Sequence, residues 1–407
     1  IFLVINTVMQ NAGKQASSAK VDCDTELINQ IMEYIQGISE VKSYNLIGKQ
    51  TKRLNAANEA CVRANVKMEL VYVPYHFLQS VVTKLTGAAI IGLSAYFYIN
   101  GSMSVLYAVG MSIAAFMLYG SLETMGTFSS LIHVVSVCVD KANAVLGLDT
   151  MDIDGKELNP ENHDIEVKNI EFSYDKRKII DGISLSIPEK TTTAIVGPSG
   201  GGKTTLCNLI ARFWDVDSGE ITLGGTNVKD YSMNSLMNNF SFVFQNVYLF
   251  ADTIENNIKF GRPEATHEEV VEAAKKACCH DFISKLPDGY NTVIGEGGAT
   301  LSGGEKQRIS IARAIMKDSP IIILDEATAN VDPENEKELT LAVDALTKEK
   351  TIIMIAHRLK TVRHADQIVV VDQGRIAQKG THEELMKQDG IYRRFVDSRE
   401  LAVSWKI

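Results

Sequence analysis

The 407-residue sequence has no CxxC pair, no histidine cluster with zinc-ligand spacing, and no charged residue between Lys84 and Glu123. The first two absences exclude the usual zinc sites and dithiol redox centres. The six cysteines, Cys23, Cys61, Cys138, Cys207, Cys278 and Cys279, therefore read as reduced packing residues facing a cytosol. The opening run IFLVI has no Met, basic stretch or cleavage site beside it, so it does not read as a signal peptide. It reads as the cut end of a longer hydrophobic segment, and the sequence as a fragment. A basic patch is missing too. Residues 1–150 hold ten Lys/Arg and ten Asp/Glu, so the net charge of −9 lies in residues 151–407. Nucleic acid is excluded as a main partner, because binding phosphates needs clustered Lys and Arg.

The uncharged stretch is 38 residues long, and Asn100-Gly101-Ser102 interrupts it with turn chemistry. A pair of membrane spans fits this pattern, with the hairpin at about 80–122. The second arm, Met103 to Leu122, has twenty residues, enough for ~30 Å of hydrocarbon. The first arm has fifteen uncharged residues after Lys84, so it borrows Val81-Val82 or lets Lys84 snorkel. Nine Lys/Arg lie from Lys14 to Lys84 and Lys141 follows the second arm, while the turn carries none. Both ends are therefore expected in the cytoplasm and the turn outside. No Pro occurs from Met103 to about Val145, which predicts one helix of roughly 65 Å. Upstream, Leu27, Ile28, Ile31, Ile35 and Ile38 fall on one helical face, and a further long helix is expected from about Ala56 toward Tyr72. Glu123, His76 and His133 read as cytoplasmic residues rather than substrate ligands.

Residues 149–164 carry the turn pairs Asp154-Gly155 and Asn159-Pro160 and read as a linker. Beyond it, short β-rich runs alternate with helices: Ile165–Phe172, Thr193–Val196, Phe240–Phe244, Ile321–Leu324, Ile352–Ala356 and Ile368–Val371. That alternation predicts a parallel α/β core covered on both faces.

Two motifs in this half carry chemistry. Gly197, Pro198, Ser199, Gly200, Gly201, Gly202, Lys203 and Thr204 fill G-x-x-x-x-G-K-[ST], with Thr205 next, between a strand and the apolar helix Leu206–Phe213. Glycines let backbone N–H groups turn inward around an anion, and the helix N-terminus adds positive potential. Lys203 supplies a charge for the β/γ-phosphates and Thr204 a hydroxyl for Mg²⁺. The apolar run Ile321–Leu324 ends in Asp325 and Glu326. Asp325 is expected to bind Mg²⁺, directly or through water, and Glu326 to polarise the attacking water as general base. Together the two motifs specify a phosphate-loop NTPase.

Leu301-Ser302-Gly303-Gly304-Glu305 narrows the class. Ser302, Gly303 and Gly304 at a helix start form a second anion-binding surface. Here the sequence resembles the ABC ATPase family, whose LSGGQ signature it repeats except for Glu305. The resemblance covers 165–400 and implies roles for further residues. Gln245 resembles the Q-loop residue, which contacts Mg²⁺ and the membrane-domain interface, and Tyr174 the aromatic that stacks on adenine. Asp332 is similar to the D-loop residue and His357 to the switch histidine at the γ-phosphate. Gly295-Glu296-Gly297-Gly298 is similar to the loop that senses the cytoplasmic arms in exporters. With Glu326 and His357 both present, a hydrolysing site is expected.

Residues 24–45 resemble the intracellular loop after the fourth helix of exporter-type ABC transporters, with residues 36–45 around a coupling helix. The implied architecture is an α/β cassette (mixed sheet plus helical subdomain) fused to an all-α membrane domain of long helices. Residues 1–148 are then a partial transmembrane domain, 149–164 a linker and 165–407 the ATP-binding domain. The resemblance implies ATP and Mg²⁺ as cofactors, and a cell-membrane, multi-pass location with the cassette cytoplasmic. Because the signature of one cassette completes the ATP site of the other, a second half-transporter chain is needed, identical or related. The implied function is export of a drug, lipid, peptide or other small molecule. Uptake of a metal chelate by the same architecture is the alternative, and an ABC ATPase that does not transport is the alternative of another class.

Overall fold

A computed structural model describes residues 2–46, 52–148, 151, 153–175, 177–295, 301–325, 333–356 and 362–404. The chain divides into two compact units, Ile1–Asp149 and Thr150–Ile407.

The first unit is helical: α1 (Phe2–Gln36), α2 (Ile38–Ser43), α3 (Lys52–Ile99) and α4 (Val105–Leu146). The helix expected from Ala56 and the first hairpin arm are one element, the 48-residue α3, which runs through Pro74 at the loss of one backbone hydrogen bond. At 1.5 Å per residue α3 is about 72 Å long, over twice the hydrocarbon thickness. Among the described residues α3 is one helix long and apolar enough to cross a membrane, and Val105–Met117 of α4 is a shorter apolar stretch. The turn falls where its residue types put it. Gly101 takes φ +71°, and the Ser102 N–H donates to the Phe97 carbonyl at 3.0 Å.

One helical grouping is corrected. Ile38 does not continue the face of Leu27, Ile28, Ile31 and Ile35, because Gly37 ends the regular helix and Ile38 opens α2. Packing of α1 on α3 depends on a missing side chain: a Cβ on Gly13 would lie 2.1 Å from the Tyr72 hydroxyl oxygen. That hydroxyl meets Ser17 Oγ at 3.1 Å, and the Cys61 thiol donates to Asp24 at 2.9 Å.

Among its described residues the second unit holds ten strands: β1 (Ile165–Tyr174), β2 (Arg177–Ile187), β3 (Thr192–Val196), β4 (Ser218–Leu223), β5 (Thr226–Asn227), β6 (Phe240–Val243), β7 (Ile321–Asp325), β8 (Thr351–Ile355), β9 (Gln367–Asp372) and β10 (Arg375–Gly380). Its helices include α5 (Lys203–Ile210), α6 (Met233–Asn238), α7 (Ile254–Lys259), α8 (His267–Lys276), α9 (His280–Ser284), α10 (Gly303–Lys317) and α11 (Pro333–Thr347).

The larger sheet has the order β10-β9-β3-β8-β7-β6, parallel except for the edge strand β10. Its central strands are apolar over most of their length because both faces are covered. Ala194, Val196, Ile322 and Leu324 enter one core, while Ile195, Ile321, Ile323 and Ile355 enter the other.

The strands are mixed, as expected for the cassette, and one run placed with the parallel core lies outside it: Ile165–Phe172 forms most of β1. It pairs antiparallel with β2 and β4 in a separate sheet of order β2-β1-β4-β5. Only residues 175 and 176 separate β1 from β2, too few for the crossover that parallel strands require. Residues 153–164 are tied to this unit. Lys156 N–H donates to Asp230 O (2.8 Å), Ser232 N–H to Lys156 O (2.7 Å) and Gly224 N–H to Asp164 O (2.9 Å).

Candidate functional site

The phosphate-loop motif spans the turn between β3 and α5. Gly197 has φ +145°, and a Cβ there would lie 2.0 Å from the Val371 carbonyl oxygen of β9. Gly202, at φ +104°, is the residue before α5 and packs against Ile180. Both positions demand glycine, one for close backbone approach and both for conformation. The helix begins at Lys203, three residues earlier than the apolar pattern alone implies, so its N-terminus opens directly on the loop. Lys203 is only 8% exposed, and its ammonium donates to the carbonyls of Gly197 (3.0 Å) and Pro198 (2.9 Å).

A cavity of about 240 Å³ adjoins this loop, lined by Tyr174, Arg177, Ile179, Gly200, Gly202, Lys203, Thr204 and Thr205. Tyr174 stands at the end of β1, its ring edge-on to Trp214 (5.6 Å, 88°) and to Phe172 (4.9 Å, 88°). The cavity joins a cationic, N–H-rich end to an aromatic one, the polarity of a nucleoside polyphosphate. Sequence reasoning missed Arg177 and Ile179. The hairpin register Tyr174↔Arg177 places them there, and the short β1–β2 separation was the available signal.

Sheet register brings the ends of β3, β8, β7 and β6 together at one edge. Ile195 of β3 pairs with Ile355 of β8, Ile355 with Asp325 of β7, and Leu324 with Val243 of β6. Asp325 thus ends its strand beside the phosphate loop, and its Oδ2 accepts from Thr204 Oγ1 at 3.5 Å. Two oxygens on adjacent positions of an octahedral Mg²⁺ are about 3 Å apart, so this hard-oxygen pair fits that ion. Gln245 is exposed two residues beyond β6, at the same sheet edge. Glu326 follows β7 directly, His357 follows β8 by two residues, and Asp332 precedes α11; these three, like Glu296, Gly297 and Gly298, lie outside the described residues.

Ser302 caps α10, its hydroxyl accepting from the Glu305 N–H at 3.3 Å, with Gly303 and Gly304 in the first turn. None of the three lines the Tyr174–Lys203 cavity. Farther along α10, Arg313 donates to Asn257 O (2.6 Å), Asn257 Oδ1 (2.5 Å) and Tyr248 O (2.8 Å). Its guanidinium also lies over the rings of Phe250 (5.9 Å) and Phe260 (5.6 Å). Burial lowers its pKa to about 10, still well above neutrality. This arginine ties the signature helix to the segment after Gln245 and had no sequence signature.

Comparison with known proteins agrees with this geometry. Residues 180–329 match the family model of the ABC transporter. A solved bacterial Atm1-family ABC exporter with ATP bound superposes with TM-score 0.89 at 30% identity, over 98% of this chain and 70% of that one. The chain belongs to the ABC transporter family. Among curated ABC proteins, it is 40% identical over 374 residues to an ATP-dependent lipid A-core flippase of Desulfotalea psychrophila. It is also 40% identical over 382 residues to a Staphylococcus aureus protein named for multidrug export, an ATP-binding/permease protein. Those alignments cover 90% and 91% of this chain, which spans 65% of the length of each relative. ATP binding goes with the ABC cassette.

Proposed function

We propose that the protein is an exporter-type half-transporter that works as a pair of chains in a cell membrane, hydrolysing ATP to move a substrate outward. The observation that carries this reading is the division of the site. One cavity joins Tyr174 to the phosphate loop, whose Thr204 reaches Asp325, while Ser302, Gly303 and Gly304 stand outside that cavity. A site completed by the signature of a second chain fits that division.

On this reading Tyr174 stacks on adenine, and the loop 197–205 wraps the phosphates with Lys203 on the β/γ oxygens. Thr204, Asp325 and Gln245 hold Mg²⁺, which when bound neutralises developing charge on the phosphate oxygens. Glu326 polarises the attacking water, while His357 and Asp332 complete the γ-phosphate end. Closure of the two cassettes then drives the helices between inward- and outward-facing arrangements. The hairpin of α3 and α4 crosses the bilayer with the Gly101 turn outside and the cassette in the cytoplasm.

The relatives named as a lipid A-core flippase and for multidrug export support an amphiphilic substrate. The test is ATP-driven accumulation of a fluorescent amphiphile in inside-out proteoliposomes. Accumulation that Glu326→Gln abolishes supports export. ATP hydrolysis with no movement of any lipid or drug probe counts against transport.

A further inference from the structure

We infer that Glu305 acts as an internal competitor for the partner's γ-phosphate and so raises the ATP concentration needed to close the two cassettes. This inference rests on the reading above, in which the signature of one chain completes the other's site.

The observation is a ring of hydrogen bonds at the start of α10. One carboxylate oxygen of Glu305 accepts from both the backbone N–H and the hydroxyl of the exposed Ser302, each at 2.8 Å. The Ser302 oxygen in turn accepts from the Glu305 N–H at 3.3 Å. Ser302 donors that a phosphate would use are thus held by an anion of this chain. Among the described residues, no Lys, Arg or His pairs with that carboxylate.

A reciprocal cap is not itself a functional sign. Thr266 with Glu269 and Thr381 with Glu384 build the same box on helices that carry no signature. What separates Glu305 from a plain cap is its position. A Gln there keeps the cap, since its side-chain carbonyl accepts the same N–H, but it brings no charge. Glu305 therefore adds one negative charge within a few ångströms of the place an incoming γ-phosphate must occupy. The phosphate has to displace the carboxylate or bind beside it. Two like charges at ~6 Å shift an equilibrium roughly threefold even in water-like surroundings, and more as water leaves the interface.

The test is an ATP titration of cassette closure. It uses the full protein in lipid nanodiscs, with Glu326→Gln arresting hydrolysis and a fluorophore pair reporting closure. Expected is half-closure at an ATP concentration about threefold or more lower with Glu305→Gln than with Glu305. That gap should narrow as salt is raised, because screening weakens the repulsion. Thermal unfolding of the two proteins should match, since the cap is kept. Normal closure with equal midpoints overturns the competitor role and leaves the composite site standing. Failure of both proteins to close at any ATP concentration overturns the composite site itself.

Discussion

Thr204 Oγ1 lies 3.5 Å from Asp325 Oδ2 across 121 positions of sequence. The register β3–β8–β7 makes that approach, by setting the phosphate loop and the end of β7 on one sheet edge. The pair is expected to serve Mg²⁺. Asp325→Asn should therefore abolish Mg²⁺-dependent hydrolysis while leaving metal-free nucleotide binding within a few-fold. Titrating a fluorescent ATP analogue with and without Mg²⁺ checks this. Equal Mg²⁺ enhancement of binding in variant and parent would remove Asp325 from the metal site.

Gly197 shows how little freedom the loop has. Alanine there would bring a Cβ within 2.0 Å of the Val371 carbonyl, at a φ of +145° that L side chains rarely adopt. Gly197→Ala should destabilise the cassette by about 1–3 kcal/mol and weaken ATP binding, because β9 and the loop must separate. Thermal unfolding monitored by tryptophan fluorescence is the measurement, and an unchanged midpoint would contradict the close approach.

Arg313 places three donors on the 248–257 segment from the middle of α10. Removing it takes the donor from the carbonyl of buried Asn257, while Asn257 Oδ1 keeps the Phe250 N–H and the exposed Tyr248 carbonyl can turn to water. Arg313→Leu should cost about 2–5 kcal/mol. Arg313→Lys should restore little, since an ammonium cannot reproduce the fork. If the lysine variant melted and hydrolysed ATP like the parent, the multidentate link would not matter.

Much of this was legible in the sequence because the signals are local. The strands β3, β7, β8 and β9 announce themselves as apolar runs, since burial on both faces removes any need for alternation. The phosphate loop is spelled out because its backbone geometry admits few residue types, and Asp325 stands out as a carboxylate ending an apolar run. What could not be read depends on pairing at a distance. β2, β4 and β10 mix charged and apolar residues because one face of each is only partly covered, and nothing local marks them as strands. Arg177 enters the cavity only through the β1–β2 register, and Arg313 looks like any helical arginine until Asn257 is packed against it. The family motif identified Glu305 as a departure, but only the hydrogen bonds to Ser302 show what its carboxylate does.

The most direct test of the composite site is complementation between two inactive variants in lipid nanodiscs. Lys203→Ala disables the phosphate loop and leaves the signature intact. Gly303→Asp disables the signature, by putting a side chain and a charge at the start of α10, and leaves the loop intact. Each variant alone should show no ATPase activity, while wild type hydrolyses ATP. Mixed before reconstitution, the two should regain a fraction of wild-type activity, because one mixed pair in register has a sound loop facing a sound signature. A mixture as silent as its parents, with wild type active under the same conditions, would contradict a site shared between two chains.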